Sequence, residues 1–176
     1  MSVDLHSPGG LQADLGYEGQ IASGAHGTVR SRVNSGSAAI PFGRAVGLGT
    51  TTGTCKLIDA NGDTVVGISV MRPIHPLGGG VTTTGYNQYD DVNILNEGCI
   101  YAKAQETVKD GDKVVALVSQ NSSSETVPGG SFGSARNGKV GTGRLDVPNA
   151  VWLGDVVKGA IGKIAITTGV TVYSAT

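Results

Sequence analysis

The spacing of apolar residues changes once along this chain. Over residues 1–37 they stand apart (Val3, Leu5, Leu11, Leu15, Ile21, Val29) and keep neither the two-residue period of a strand nor the 3.6-residue period of a helix. From Ile40 onward they come in short bursts cut by turn residues. The pattern predicts an extended N-terminal arm over 1–37, which has little of its own to bury, and a β-body over 38–176. The first strand of the body reads as 40–46. Pro41 lies inside it and cannot donate to a ladder, which places that strand at a sheet edge.

Turn chemistry marks the strands that follow. Runs 55–58 and 64–70 flank Asp59-Ala60-Asn61-Gly62-Asp63, where Asn-Gly supplies the positive φ pair of a hairpin. Runs 92–95 and 99–104 flank Asn96-Glu97-Gly98, which reads as a second hairpin. A turn at 109–112 precedes a strand over 113–118, and 143–147, 150–153, 161–167 and 169–173 bring the total to about ten short strands. The expected fold is all-β, a compact β-barrel or β-sandwich with long Gly/Ser-rich loops inserted at 73–89 and 119–141.

Composition narrows the picture. The chain has 176 residues, one domain by length, and 29 are glycine, over twice the usual share of about 7%. Glycine costs roughly 1 kcal/mol per helical position, so helices are disfavoured throughout. Lys and Arg number 13 against 14 Asp and Glu, and they are scattered. Direct nucleic-acid binding, which needs a basic stripe, is therefore not expected. No run of 18 apolar residues is present, so no membrane span is expected, and without a basic stretch followed by an apolar one near residue 1 no secretory signal is expected. Cys55 and Cys99 then read as reduced thiols acting as small buried hydrophobes, with a disulfide as the alternative.

The motifs that suggest chemistry fail on their context. Gly133–Lys139 has phosphate-loop spacing, but Val140 stands where the Mg²⁺-binding hydroxyl belongs, with no strand before and no helix after. Gly129-Gly130-Ser131-Phe132-Gly133 matches a nucleophile elbow, yet the last histidine, His75, precedes Ser131. The 59–63 turn starts like a calcium loop, but Thr64 and Val70 occupy the positions for its glycine and glutamate. His6, His26 and His75 share no ligand spacing. No catalytic, cofactor or metal residue is expected, and the chain does not read as an enzyme.

Binding residues remain. Trp152 and Tyr101 sit in apolar strands and read as core anchors. Tyr86 and Tyr89 bracket Asn-Gln in a loop, where exposed aromatics would meet a protein groove or a sugar. The candidate protein contacts are Tyr17, Ile21, Arg30, Arg32, Phe42, Arg44, Tyr86 and Tyr89. The all-β reading with these tyrosines also fits a carbohydrate- or receptor-binding β-module.

The order of several segments resembles one family. Gly16-Tyr17-Glu18-Gly19-Gln20-Ile21-Ala22-Ser23, Ser31-Arg32-Val33 and Ile40-Pro41-Phe42-Gly43-Arg44-Ala45-Val46 look like the opening of the structural cement (capsid decoration) proteins of tailed bacteriophages. The likeness continues through 67–70, 89–95, 98–102, 111–114, 143–145 and 159–166. The resemblance implies a protein that binds the outside of the major capsid shell between neighbouring subunits and stabilises the expanded head. It implies a place on the outer capsid surface of a virion after synthesis in the host bacterial cytoplasm. The implied partners are the major capsid protein and further copies of this chain, a trimer first and a dimer second, and no catalytic residue is carried over. The 73–89 and 119–141 loops look longer than such a protein needs.

Overall fold

The structure is a computed structural model and describes residues 16–22, 27–72, 85–118, 120–121, 126–127, 129–134 and 143–167. In chain order its strands are β1 (Thr28–Asn34), β2 (Ile40–Pro41), β3 (Ala45–Leu48), β4 (Thr54–Leu57), β5 (Val65–Ser69), β6 (Gly85–Tyr86), β7 (Asp91–Lys103), β8 (Lys113–Leu117), β9 (Gln120–Asn121), β10 (Thr126–Val127), β11 (Ser131–Ser134), β12 (Arg144–Leu153) and β13 (Ile161–Ile166). Nine form one sheet in the order β1-β4-β3-β5-β7-β13-β12-β8-β11, and β2–β6 and β9–β10 form two small pairs. The all-β expectation holds. Among the described residues no helix is long and apolar enough to cross a membrane.

β7 organises the whole. Its first half pairs with β1 on one side and β5 on the other, and its second half pairs with β13. Because β1 also pairs with β4, the strands β1-β4-β3-β5-β7 close into a ring. The other half, β7-β13-β12-β8-β11, returns to the end of β7 through the bridge Ala104–Phe132, where Gln105 N–H donates to the Phe132 carbonyl at 2.9 Å. Two barrel-like halves thus share one long strand. The main core fills both, from Ile58, Ile68 and Leu95 to Ile100, Phe132, Ile164 and Trp152. Trp152 is fully buried and donates its indole N–H to the Gly133 carbonyl at 3.0 Å, satisfying the one polar atom an apolar site would penalise. A smaller cluster of Ile40, Phe42, Val46, Cys55, Tyr86, Val92 and Ile94 caps the first half.

Several local expectations are corrected. Asn96-Glu97-Gly98 makes no hairpin: β7 runs straight through it, because both flanks find separate partners, and Gly98 (φ 122°) absorbs the bend between the two halves. The Asn61-Gly62 turn exists, closed by Asp63 N–H on the Ala60 carbonyl at 3.1 Å, but neither residue takes the expected positive φ, and β4 and β5 lie on opposite sides of β3 and do not pair with each other. The predicted strand 40–46 divides into β2 and β3 at Gly43 (φ 68°), which packs against Gly19 (φ 81°). A Cβ on Gly43 would lie 2.6 Å from the Gly19 amide, so only glycine permits this approach. β3 is consequently an interior strand, and Pro41 sits opposite Gly85 in the small β2–β6 pair. In the 119–141 loop, residues 131–134 are β11, with Phe132 fully buried. The two late runs 143–147 and 150–153 are one strand, β12, with a register shift around Pro148 and Asn149.

Two parts of the stretch read as an arm belong to the body. Residues 28–34 are β1, and the sheet starts there rather than at Ile40. Residues 16–22 lie along the free side of β7: Gly19 N–H donates to the Tyr101 carbonyl at 2.8 Å, Tyr101 N–H to the Gln20 carbonyl at 2.9 Å, and Ala22 N–H to the Cys99 carbonyl at 2.9 Å. Neither stretch shows an apolar period because the backbone of β7, rather than a buried face, holds it. Residues 1–15, most of the 73–89 loop, and 169–173 lie outside the described residues.

Candidate functional site

β1 and the turn beside its C-terminal end form a largely exposed surface of the first half. Asn34, the last residue of β1, is fully buried and joins the two. Its Nδ2 donates to the carbonyls of Ala38 (3.0 Å) and Asn87 (3.2 Å), and its Oδ1 accepts from Gly36 N–H at 3.0 Å. Its own N–H donates to the Asp90 carbonyl at 2.9 Å, and its carbonyl accepts from Tyr89 N–H at 2.8 Å. The 87–90 turn closes further through Asp90 N–H to the Asn87 carbonyl (3.2 Å) and Asn87 N–H to Asp90 Oδ2 (2.9 Å). Arg72 then pairs with Asp90 at 3.3 Å and lays its guanidinium 4.5 Å over the Tyr86 ring.

This network fixes an unusual residue. Tyr89 has φ 68° and is 75% exposed. Left-handed backbone costs a non-glycine residue roughly 1–2 kcal/mol. A tyrosine kept there, pointing to solvent, is presented rather than packed.

The eight candidate contacts separate by burial. Tyr17 and Tyr89 are exposed, and on β1 Arg30 is exposed while Arg32 is half-buried. Ile21 is half-buried, bridges to Ile100 and packs on the main core. Phe42 is buried edge-on against Tyr86, ring centres 5.3 Å apart. Tyr86 is fully buried and donates its hydroxyl to the Val70 carbonyl at 2.5 Å, and burial pushes its phenol pKa upward. The expectation of an exposed Tyr86/Tyr89 pair is therefore corrected: the two rings form no common platform, which takes away the feature that favoured sugar binding.

Arg44 is also structural in its contacts. Its side chain is only 12% exposed, donates to Ser131 Oγ on β11 and lies 3.9 Å from Glu18 in the 16–22 segment. Its backbone N–H donates to Ser69 Oγ at 2.9 Å. Arg44 thus holds the 16–22 segment, the first half and the second half together. Ser131, the centre of the elbow-like motif, is a buried acceptor for this arginine.

The other chemical temptations resolve into structure as well. In the 59–63 turn, Lys56 Nζ reaches Asp59 at 2.7 Å and Asp63 at 2.8 Å, while Asp63 Oδ2 accepts the N–H groups of Asp59 and Ala60, both at 3.0 Å. Among the described residues no group of acids, histidines and cysteines is placed to hold a metal. Both cysteines are free, and burial raises the Cys55 thiol to about 11 against the opposing pull of Arg32. A cleft lined by residues 65–67, 147–149, Asn96, Ile166 and Thr167 brings no ionisable side chain together.

Sequence reasoning passed over Asn34, Val29 and Val33. Val29 and Val33 are 41% and 37% exposed on β1, within the stretch whose pattern predicts an extended arm. The signal available was propensity alone: Thr28, Val29 and Val33 are β-branched.

Compared with known proteins, residues 9–167 match a family described as "Structural cement protein (E217 gp24/Pam3 gp6)". Five chains of solved structures match. One, from "The capsid of Myoviridae Phage XM1", has a TM-score of 0.62 at 19% identity, covering 93% of this chain and 98% of that chain. At that identity the likeness concerns the fold. No curated protein matches.

Proposed function

The chain belongs to the structural cement protein family of phages, a family with a structural role in the capsid, and from that premise we propose that it decorates the outer surface of the major capsid shell, bridges neighbouring subunits and stabilises the expanded head. The observation that carries this reading is the rigid presentation of Tyr89 beside the exposed β1 strand. Aromatic side chains with few rotatable bonds lose little entropy when a partner closes over them. Many weak contacts on one particle then add through avidity.

The copies assemble on the shell as trimers in this reading, with a dimer as the second arrangement. Closed symmetric units suit a lattice that repeats the same junction. Tyr17 and Tyr89 are the favoured contact side chains, with Arg30 and Arg32 beside them.

Co-sedimentation with purified heads tests the proposal. The full chain should bind expanded heads saturably, bind unexpanded heads less, and raise the temperature at which expanded heads release DNA. Removing residues 1–15 leaves β1 and the 16–22 contacts intact, so it isolates the arm. Loss of binding in that variant supports an arm-dependent attachment. Failure of the full chain to bind any head form would refute the decoration role.

A further inference from the structure

We infer that the open edge of β1 captures an extended strand of the capsid shell whose side chains alternate between acidic and apolar. This rests on the capsid-binding reading above and gives that contact a chemistry.

The direction of the edge follows from hydrogen bonds already made. Val33 N–H donates to the Gly53 carbonyl at 3.2 Å and Ser35 N–H to the Cys55 carbonyl at 2.9 Å, both on the β4 side. Asn34 N–H turns the opposite way, to Asp90. Backbone groups alternate sides along a strand, so the N–H and C=O of Ser31 and Val29 also face the β4 side. There β4 pairs only with Val33 and Asn34, and among the described residues no strand covers 28–31. An edge of this kind is a template for another strand.

The side chains specify what fits. Arg30 and Arg32 share one face, about 7 Å apart. Across the sheet they stand beside Ile94 and Val92, both buried, and neither has an ion-pair partner among the described residues. Val29 and Val33 occupy the other face, partly exposed. A strand with carboxylates on one face and apolar side chains on the other satisfies both at once, with cross-strand pairs each contributing a fraction of a kcal/mol.

A second copy of this chain is a poor occupant. Antiparallel pairing about Ser31 would set Arg30 against the other copy's Arg32, and parallel pairing in register would set each arginine beside itself. Like charges directly opposed are destabilising. The remaining reading, that the arginines only ward off strand pairing, makes the opposite prediction for their removal.

Binding isotherms of the full chain on expanded heads decide between these. Ser31→Pro removes one of the two N–H groups aimed at the open edge, the one at its centre, while leaving the β7 ladder, and proline is tolerated on edge strands. It should weaken binding about tenfold, or about 1.4 kcal/mol. The double change Arg30→Glu/Arg32→Glu should weaken it by at least about a hundredfold at low salt, Arg30→Lys/Arg32→Lys should keep most of it, and Lys113→Glu on β8 in the other half should leave it unchanged. Circular dichroism melts check that each variant is folded, and the double variant carries the test if Ser31→Pro melts early. Wild-type binding of both Ser31→Pro and the double Glu variant overturns the inference while leaving the decoration role standing. A Ser31→Pro change that disrupts self-association instead of head binding makes the occupant a second copy and also overturns it. No binding by the wild-type chain removes the decoration role itself.

Discussion

Replacing Asn34 by alanine perturbs the surface without touching an exposed atom. The side chain is fully buried and makes three hydrogen bonds, to the Ala38 and Asn87 carbonyls and from Gly36 N–H, at 3.0–3.2 Å. At about 1 kcal/mol net for each, the loss comes to about 3 kcal/mol, since the backbone groups stay buried without their partner. For a domain of this size that lowers Tm by about 6–12 °C. Urea unfolding is the assay: the midpoint should fall with the slope unchanged, as for a loss of stability in an otherwise intact structure. Ser31→Ala is the matched comparison. Ser31 also bonds a side chain, Asn93 at 2.9 Å, but in an exposed position, so its loss should stay within about 0.5 kcal/mol. In Asn34→Ala the 87–90 turn keeps its two backbone bonds to residue 34 but loses the side-chain bond to the Asn87 carbonyl, and head binding should weaken along with stability. A cost below about 1 kcal/mol for Asn34→Ala, or equal costs for the two variants, would refute the claim that a buried polar hub holds this surface together.

Three further outcomes follow from local physics. Tyr89→Gly relieves left-handed strain at a mostly exposed site, so thermal melts should show stability unchanged or raised by up to about 1 kcal/mol, while head binding falls; a clear loss of stability would mean that the ring packs. Burial raises the Asp63 carboxyl, but Lys56 and the N–H groups of Asp59 and Ala60 outweigh it and hold the group below its usual 3.8, so its contribution is present above that value and fades as pH falls through the lower folded value. The same pairing, led by the Asp59 hydrogen bond, raises Lys56 above 10.5, so that its contribution is lost only as pH rises through the higher folded value; in urea titrations Lys56→Met should flatten both limbs. With its thiol raised to about 11 by burial, Cys55 should resist alkylation at pH 8 in the folded chain and react once urea unfolds it, as mass spectrometry of the labelled peptides would show.

The properties legible in the residues are those that depend on short stretches. Frequent glycine and brief apolar bursts exclude helices wherever the fold is placed. The 109–112 turn and the strand after it appear where expected, because Asp112 N–H closes onto the Lys109 carbonyl at 3.0 Å within the motif itself. Trp152 and Tyr101 are buried, as large aromatics in apolar strands tend to be. The ordered motifs along the chain were also enough to suggest the family to which it belongs.

Which strand lies beside which was settled only by distant pairing. Asn96-Glu97-Gly98 carries a turn signal, yet β7 continues because β1, β5 and β13 each pair with part of it. The lead has no apolar period, yet Thr28–Asn34 enters the sheet by backbone pairing with residues 58 to 69 positions away. Tyr86 and Tyr89 look equivalent three residues apart, but Tyr86 faces Phe42 and Arg72 while Tyr89 stands on the outer side of the turn that Asn34 holds. Local chemistry encodes what a segment can form. The edge left open, the ring buried and the ring displayed depend on contacts between segments far apart in the chain, and those exist only once the sheet has closed.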